Sequence, residues 1–250
     1  MLSKQTDKEW EKFGKYSPYF GVLTEEKYSC SHDTKENLEE FFQSGVLHVD
    51  TVFQKIKQKI DPSFKPKSIL DFGCGVGRLV IPFSSYADSV VGVDISKSML
   101  AEAKLNCVEK SISNVSFLQS DDGLSSVDQK FDLIHSFIVF QHIPTKRGEL
   151  IFARLLECLE KGGVCVAHFT YNKSGIKRKI APFIKRYVPF SKYFVNLIKG
   201  RNIWTPQMEM NSYDLNKLLM LVQKNNVKQV YAEFTIHGGE LGIVLYFAKN

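Results

Sequence analysis

Short apolar segments alternate with longer amphipathic segments across the middle of this chain, from position 67 to position 170. The short segments are rich in Val, Ile and Phe, which favours buried strands, and the longer ones carry apolar residues at helical spacing. Because parallel strands need helical crossovers, this alternation predicts a doubly wound, mostly parallel α/β sheet with helices on both faces. The predicted strands span 68–72, 89–94, 115–118, 131–136 and 164–170, and the clearest helices span 97–110 and 145–160.

Three regions lie outside this alternation. Residues 1–60 carry apolar residues at helical spacing and predict an N-terminal helical cap. Near the end, two apolar segments flank the sequence HGGE at 237–240, which predicts a hairpin and an antiparallel last strand. Residues 171–212 interrupt the pattern. We therefore predict a cap over 1–60 and an α/β domain over 61–250 that carries an insert at 171–212.

The basic charge of the chain is local. Lys and Arg outnumber Asp and Glu by 33 to 27, and nine of the basic residues lie between 171 and 201 without one acidic residue. A local excess differs from the broad basic surface of a nucleic-acid coat, so we expect no nucleic-acid partner. Segment 171–201 could be a lid that binds an anionic acceptor, a peripheral contact with an anionic membrane, or a solvated face.

Cysteine spacing and hydropathy favour a cytoplasmic protein. The five cysteines form no C-x-x-C pair and are too sparse for a disulfide framework, which indicates a reducing compartment. No apolar run approaches the roughly 20 residues that span a bilayer, and the first ten residues are too polar for a signal peptide. The His and Cys spacings predict no metal site, although separated carboxylates leave a single Mg²⁺ site open.

A glycine-rich turn, DFGCGVGR at 71–78, follows the first predicted strand. Its three glycines let the backbone turn sharply and approach a ligand closely, at the strand end where α/β sheets bind ligands. A dinucleotide fingerprint, G-x-G-x-x-G, would need glycine where Arg78 stands. The carboxylate of Asp71 suits an ammonium group better than a pyrophosphate. We therefore expect a ligand with an amino acid moiety.

Acidic residues follow the next two predicted strands. Asp94 ends the second strand, where an acid can accept hydrogen bonds from both hydroxyls of a ribose. Asp121 and Asp122 follow the third strand, where a carboxylate can accept from an exocyclic amine such as that of adenine. Amino acid, ribose and adenine thus follow one another along the sheet edge, and this order predicts S-adenosylmethionine as the cofactor.

Five segments together resemble the class I S-adenosylmethionine-dependent methyltransferases, in particular the branch that acts on small molecules. They are ILDFGCGVGR, VVGVDIS, FLQSDDG, FDLIHSFIVFQHIP and LLECLEKGGVCVAHF, and the resemblance covers about residues 67–170 and the terminal hairpin. It implies a Rossmann-like sheet of seven strands with an antiparallel last strand, so that 61–250 would be a methyltransferase domain. A shorter segment, WEKFGKYSPYFGVLTEEKY, resembles the head region of some methyltransferases of sugar or polysaccharide modification.

The resemblance also implies a set of cofactor-binding residues. The methionyl part is expected at Asp71 and the glycine turn, the ribose at Asp94 and the adenine at Asp121. Either Ser136 or Phe137 is expected near the methionine end. The full set expected to line the cofactor site is Asp71, Gly73, Cys74, Gly75, Arg78, Asp94, Ile95, Met99, Asp121, Asp122, Ser136 and Phe137.

Methyl transfer to a hydroxyl needs a group that takes the proton, and histidine is the natural base near neutral pH. Three histidines fall at the predicted carboxyl edge: His142 after the fourth strand, His168 near the end of the fifth, and His237 in the hairpin. Each has a structural alternative, because His142 can cap a helix, His168 can be a satisfied buried residue and His237 can shape a turn. We expect His142 or His237 to be the base, with His168 as a further candidate.

These patterns predict an enzyme that methylates, most readily at oxygen, a small polar or anionic metabolite or a saccharide. Two alternatives stay open at this point. One is a methyltransferase for a lipid-linked acceptor at a membrane surface, and the other is a non-catalytic protein that binds S-adenosylmethionine. A nicotinamide-dependent oxidoreductase is disfavoured by Arg78 in the glycine turn.

Overall fold

A seven-stranded sheet forms the centre of the molecule. The structure is a computed structural model that describes residues 3–29, 34–173 and 208–250. Its strands are β1 (Ser68–Phe72), β2 (Ser89–Asp94), β3 (Val115–Gln119), β4 (Phe131–Ser136), β5 (Leu159–Lys173), β6 (Tyr231–His237) and β7 (Glu240–Ala248). Their order is β3-β2-β1-β4-β5-β7-β6, with β1 to β5 parallel and β7 antiparallel to both neighbours. The predicted doubly wound sheet with a reversed last strand is confirmed.

Helices cover both faces of the sheet and precede it. Several begin at capped residues: the hydroxyl of Thr34 accepts from the backbone N–H of Asn37, and that of Ser96 accepts from Met99. The described α-helices are α1 (Ser3–Tyr16), α2 (Pro18–Val22), α3 (Lys35–Lys59), α4 (Val80–Phe83), α5 (Lys97–Glu109), α6 (Thr145–Glu157) and α7 (Leu215–Lys224). Short 3₁₀ turns span Glu26–Tyr28 and Phe140–His142. No helix in this described part of the chain is long and apolar enough to cross a bilayer.

Strand β5 extends beyond the predicted 164–170 at both ends: Leu159 pairs with Phe131 of β4 at its start, and Lys173 pairs with Glu240 of β7 at its end. The predicted insert at 171–212 therefore begins inside this strand. Residues 174–207 lie outside the described residues, and so do most of the basic residues of 171–201. Their assignment as a lid, a membrane contact or a solvated face stays a prediction.

The two faces of the sheet pack against different helices. Alternate strand residues point to opposite faces. Leu70 therefore packs in a core with α6 and α7, whereas its neighbour Ile69 packs in a core with α3. A third, aromatic cluster joins the N-terminal helices to the glycine turn and α5, and its buried members are Phe13, Tyr19, Tyr28, Phe41, Val76 and Met99.

The layer under α3 changes from apolar to polar toward the carboxyl ends of the strands. Ile69 on β1 and Leu133 on β4 are buried apolar partners, but the next residues on the same face are Asp71 and His135, which are also cross-strand partners. The β6–β7 turn lies at this same edge, because β6 and β5 both run antiparallel to β7. The carboxyl edge of the sheet therefore gathers the polar side chains of the fold.

Candidate cofactor and acceptor site

A cavity of about 650 Å³ opens at this carboxyl edge. Its walls are the glycine turn after β1, the end of β2, the segment after β4, the β6–β7 hairpin, the helix α1 and residues just before α7. Of the predicted site residues, the structure brings these to the cavity wall: Asp71, Gly73, Cys74, Gly75, Arg78, Asp94, Ile95, Met99, Phe137, His142 and His237. Ser136, His168, Asp121 and Asp122 do not line it.

The glycine turn holds a backbone shape that other residues would not permit. Gly73 and Gly75 have φ of +78° and +53°, which is the left-handed region that favours glycine. A Cβ atom on Gly73 would lie 2.3 Å from Cγ2 of Val139, and one on Gly75 would lie 2.6 Å from Cγ2 of Val22. The turn therefore presents bare backbone to the cavity.

Asp94 ties the end of β2 to the glycine turn. Its Oδ2 accepts from the backbone N–H of Gly75 and its Oδ1 from that of Ser96, both at 2.9 Å. Removal from water raises the pKa of Asp94 to about 6, although these backbone hydrogen bonds lower it. Each carboxylate oxygen keeps a lone pair, so Asp94 can still accept from hydroxyl groups inside the cavity. Ile95 and Met99 lie beside it on the wall.

Opposite charges face the cavity at the glycine turn. Asp71 is 2% exposed, and its Oδ1 lies 2.8 Å from Nδ1 of His135. The guanidinium of Arg78 is also buried; one terminal nitrogen donates to Oγ of Ser44 at 3.2 Å, while Nε has no hydrogen-bond partner among the described residues. Burial lowers the pKa of Arg78 to about 10, which leaves it charged at neutral pH. Burial raises the pKa of the Cys74 thiol well above its ordinary value.

The acids after β3 are engaged elsewhere. The carboxylate of Asp121 accepts from the backbone N–H groups of Gly123 and Ser125 at 3.0 and 2.9 Å and from the Ser125 hydroxyl, and these bonds lower its pKa. Asp122 forms an ion pair with Arg147. The residue from this loop that reaches the cavity is Ser120. The adenine role of Asp121 therefore stays a prediction.

His142 is locked by its neighbours. A backbone carbonyl can only accept, so Nδ1 of His142 donates to the oxygen of Glu209 at 2.7 Å. Its Nε2 then accepts from the side-chain amide of Gln141 at 3.1 Å, and Oε1 of Gln141 accepts from Thr170 at 2.8 Å. Burial lowers the pKa of His142 to about 4. Although His142 lines the cavity, the lone pair on its Nε2 already accepts a hydrogen bond from Gln141.

His168 and His237 differ in their access to the cavity. His168 is 1% exposed and hydrogen-bonds Thr235 at 3.0 Å through Nε2, and burial lowers its pKa to about 3. His237 is exposed and lines the cavity, and partial desolvation lowers its pKa below the ordinary value. Phe137 touches both rings, at centroid distances of 5.3 and 5.7 Å. Ser136, just before it, is buried, and its hydroxyl has no partner in the described structure.

The helix α1, which lies in the predicted N-terminal cap, covers part of the cavity through residues that the sequence analysis did not single out. Trp10 packs edge-on against His142 at 5.0 Å between centroids. Glu11 accepts from the hydroxyls of Ser96 and Ser98 at 2.8 and 2.6 Å. Near the other end of α1, Asp7 pairs with Arg147 of α6. An aromatic residue in an amphipathic leading helix is the signal that could have suggested such a cover.

The described residues contain no group of three or more His, Cys, Asp or Glu side chains that could hold a metal ion.

Comparison with known proteins agrees with this geometry. Residues 69–163 match the family model described as a methyltransferase domain. A ubiquinone biosynthesis O-methyltransferase of Chelativorans sp. (strain BNC1) is 30% identical over 129 residues, which cover 50% of each chain. The enzyme of the same description from Bradyrhizobium sp. (strain ORS 278) is 29% identical over 66% of this chain and 62% of its own. The chain thus spans about half to three fifths of the length of these relatives.

A solved structure shows a similar fold. Magnesium protoporphyrin IX methyltransferase from Synechocystis PCC 6803, crystallised with bound S-adenosylmethionine, superposes with a TM-score of 0.62. It is 16% identical, and the alignment covers 98% of this chain and 97% of that one. At this identity the likeness concerns the fold. Residues 69–163 therefore resemble a methyltransferase domain, and the chain has the Rossmann-like methyltransferase fold.

Proposed function

We propose that this chain transfers a methyl group from S-adenosylmethionine to an oxygen atom of a small molecule. The observation that carries the proposal is that Asp71, the glycine turn, Asp94 and the imidazole of His237 all line the same cavity. The curated relatives support oxygen as the methylated atom, because their descriptions name O-methyltransferases.

The residues of one end of the cavity fit the cofactor. Asp71 would accept from the ammonium group, and Arg78, whose Nε has no partner among the described residues, offers a donor to the carboxylate. Without Cβ atoms, Gly73 and Gly75 fit against Val139 and Val22 in left-handed conformations, and the turn that they form would approach the methionyl chain through its backbone. Asp94 would accept from the ribose hydroxyls, and the segment Ser120–Asp121 would lie nearest the adenine. When bound, S-adenosylmethionine supplies an electrophilic methyl group.

Strand order then separates the two ends of the cavity. Asp94 ends β2, Asp71 lies on β1 and Phe137 follows β4, and these strands are consecutive in the sheet. A cofactor with its ribose at Asp94 and its amino acid at Asp71 directs the acceptor toward β4 and the β6–β7 hairpin. Phe137, Ile236 and His237 line that end, which we call the acceptor end. The cofactor end comprises the glycine turn, Asp94, Ile95 and Met99.

His237 is the proposed general base. Its lowered pKa keeps the ring neutral at pH 7, so a ring nitrogen can accept the proton of an acceptor hydroxyl. His142 is less suited, because Gln141 occupies its remaining lone pair. His168 lies outside the cavity wall behind Phe137. We assign structural roles to His142 and His168, as residues that hold the cavity wall in place.

The acceptor end also limits what the acceptor can be. Its described walls are apolar at Phe137 and Ile236 and carry the acid Glu240, whose Oε2 lies 3.9 Å from Nζ of Lys173. The arginines that line the cavity, Arg78 and Arg147, stand at the glycine turn and beneath α1. We therefore propose that the methylated hydroxyl belongs to an uncharged part of the acceptor, such as a phenol or a sugar ring. Anionic groups of the acceptor would lie farther out.

Labelled methyl transfer tests the proposal. The protein is incubated with [methyl-³H]S-adenosylmethionine and a cell extract separated into small-molecule, protein and RNA fractions. We expect enzyme-dependent label in the small-molecule fraction, with the methyl ether identified by mass spectrometry. Label confined to protein or RNA would exclude a small-molecule acceptor. Calorimetry that shows no binding of S-adenosylmethionine would exclude the activity itself.

A further inference from the structure

Two buried side chains, Asp71 and His135, and the half-buried His48 form a hydrogen-bonded row beneath the cofactor end of the cavity. Oδ1 of Asp71 lies 2.8 Å from Nδ1 of His135, and Nε2 of His135 lies 3.1 Å from Nε2 of His48. Asp71 and His135 are cross-strand partners on β1 and β4, whereas His48 belongs to α3. The row therefore joins the N-terminal helices to the acid that faces the cavity.

The chemistry of the three groups fixes the direction of one bond. An ionised carboxylate has no hydrogen to donate, so Nδ1–H of His135 donates to Asp71 whether the ring is neutral or charged. Burial, followed by the neighbouring His135, lowers the pKa of His48 to about 2, so His48 is neutral. With a neutral His135, the second bond runs from Nε2–H of His48 to Nε2 of His135. Both ring nitrogens of His135 and Nε2 of His48 then have hydrogen-bond partners.

The packing around the row prevents the rings from turning. His135 is fully buried, and its ring contacts Phe83 at 5.1 Å between centroids on one side and His48 at 5.3 Å on another. His48 in turn contacts Phe137 at 4.3 Å, and Phe137 lines the cavity. A fixed His135 therefore holds Oδ1 of Asp71 by its hydrogen bond. Asp71 itself lines the cavity, so we assign its other oxygen, Oδ2, to contact with the cofactor.

We infer that His135 is a positioning residue for the cofactor, which keeps the Asp71 carboxylate turned toward the cofactor's ammonium group, and that His48 keeps His135 in place. This inference rests on the proposed function. Removing His135 leaves a buried carboxylate oxygen without its donor, and the carboxylate can then rotate or take up a proton. Both changes weaken recognition of an ammonium group. Neither touches recognition of the adenosine part.

Two ligands that differ in the amino acid part separate this role from a general structural one. S-adenosylhomocysteine carries the ammonium group, whereas 5′-methylthioadenosine has the same adenosine and sulfur without it. For His135→Leu we expect calorimetry to show affinity for S-adenosylhomocysteine reduced about 10- to 100-fold, as for loss of a hydrogen bond to a charged group. Affinity for 5′-methylthioadenosine should change by less than about twofold.

Rescue by a conservative variant sharpens the test. The side-chain amide of asparagine can replace Nδ1–H of histidine, so His135→Asn should recover most of the lost affinity for S-adenosylhomocysteine. His48→Phe, which keeps an aromatic ring beside Phe137, should lose affinity several-fold, because it removes only the support of His135. His168→Leu replaces another buried histidine of the same sheet face and should leave the affinity ratio of the two ligands unchanged.

The outcomes distinguish the inference from the function on which it rests. If the wild-type chain binds both ligands and His135→Leu weakens both equally, His135 has a structural role and the inference fails. The inference also fails if His135→Asn and His135→Leu bind S-adenosylhomocysteine equally well. If the wild-type chain binds neither ligand, the proposed function fails too. As a readout without ligand, ¹⁵N spectra should show a protonated Nδ1 on His135, and an unprotonated Nδ1 would overturn the row.

Discussion

The two ends of the cavity are built from different kinds of side chains. At the cofactor end, Asp94 accepts from two backbone N–H groups, Asp71 pairs with a histidine and Arg78 donates to a serine, all in partly or fully buried positions. At the acceptor end, the wall is aromatic and the two nearest imidazoles, His168 and His237, have pKa values lowered by desolvation. One end is suited to a charged, hydroxylated ligand, and the other to a proton acceptor.

This difference follows from how each group is solvated. A buried charge is tolerated when fixed dipoles replace water, as the N–H groups of Gly75 and Ser96 do for Asp94. Desolvation beside Phe137 lowers the pKa values of His168 and His237, which favours the neutral imidazole. The cofactor end thus carries the charged groups of Asp94 and Arg78 at neutral pH. The acceptor end carries a histidine, His237, whose lowered pKa favours the neutral ring.

The largest effect is expected at the acceptor end. His237→Ala should reduce kcat about 10²- to 10⁴-fold, the usual contribution of a general base, and leave the affinity for S-adenosylmethionine unchanged. In the wild-type protein, kcat/KM should fall as the pH is lowered through the pKa of His237, which lies below its ordinary value. Steady-state kinetics and calorimetry on the same samples give both quantities.

The neighbouring residue provides the control for this prediction. Ile236 also lines the cavity in the hairpin but has no titratable group, so Ile236→Ala should raise KM for the acceptor and change kcat little. A His237→Ala protein with wild-type kcat would contradict the assignment. In that case His142→Ala, with cofactor affinity retained, becomes the variant that tests the base.

A smaller effect is expected at the cofactor end, from the titration of Asp94. The ribose hydroxyls donate to the ionised carboxylate, and with a pKa of about 6 the ionised fraction rises about tenfold between pH 5 and pH 7. Affinity for S-adenosylhomocysteine should therefore rise about tenfold over this interval. The stability of the ligand-free protein should move the other way and fall from about pH 4 to pH 6, because folding raises this pKa above its unfolded value.

Two variants isolate this titration. Asp94→Asn should bind weakly at every pH and lose the dependence on pH between 5 and 7. Asp128→Asn removes an exposed acid of the loop after β3 and should behave as the wild-type protein. If Asp94→Asn keeps the full pH dependence, the titrating group is not Asp94.

The sequence predicts the cofactor end better than the acceptor end, because the former depends on local patterns. Strand ends at Asp71 and Asp94 and the left-handed glycines are specified by a few consecutive residues. The predicted bounds of β1, β2 and β4 agree with the structure, since each is a short apolar run with polar or glycine residues beside it. The alternation predicts a mostly parallel sheet and the terminal hairpin an antiparallel last strand, whereas the number of seven strands came from the family resemblance and their order from the structure.

Local sequence patterns do not predict contacts between residues that are far apart in the chain. The bond between His135 and His48 joins residues 87 positions apart. His135 could have been found, because Asp71 and His135 occupy the same alternation phase near the ends of two strands that point to one edge. The partner on α3 could not, since the sequence does not give the rotation of that helix. For the same reason the position of Trp10 over His142 was not predictable.

The smallest effect concerns α1, which lies across the cofactor end. Arg147 joins Asp7 of α1 to Asp122 of the loop after β3, and its side chain is 12% exposed. Residues of α1 line the cavity, and we expect this helix to move when the cofactor product leaves. Arg147→Ala should therefore speed the dissociation of S-adenosylhomocysteine several-fold in stopped-flow experiments. Partly exposed ion pairs contribute about 1 kcal/mol or less, which sets this modest size.

Arg154→Ala provides the matched control for the α1 contact. Arg154 lies on the same helix, α6, but its partner Glu157 belongs to that helix and not to α1. Removing it should therefore leave the dissociation rate unchanged. Equal rates for Arg147→Ala and the wild-type protein would mean that α1 moves freely despite its ion pair. The bonds from Ser96 and Ser98 to Glu11 would then be the contacts that hold α1 over the cofactor end.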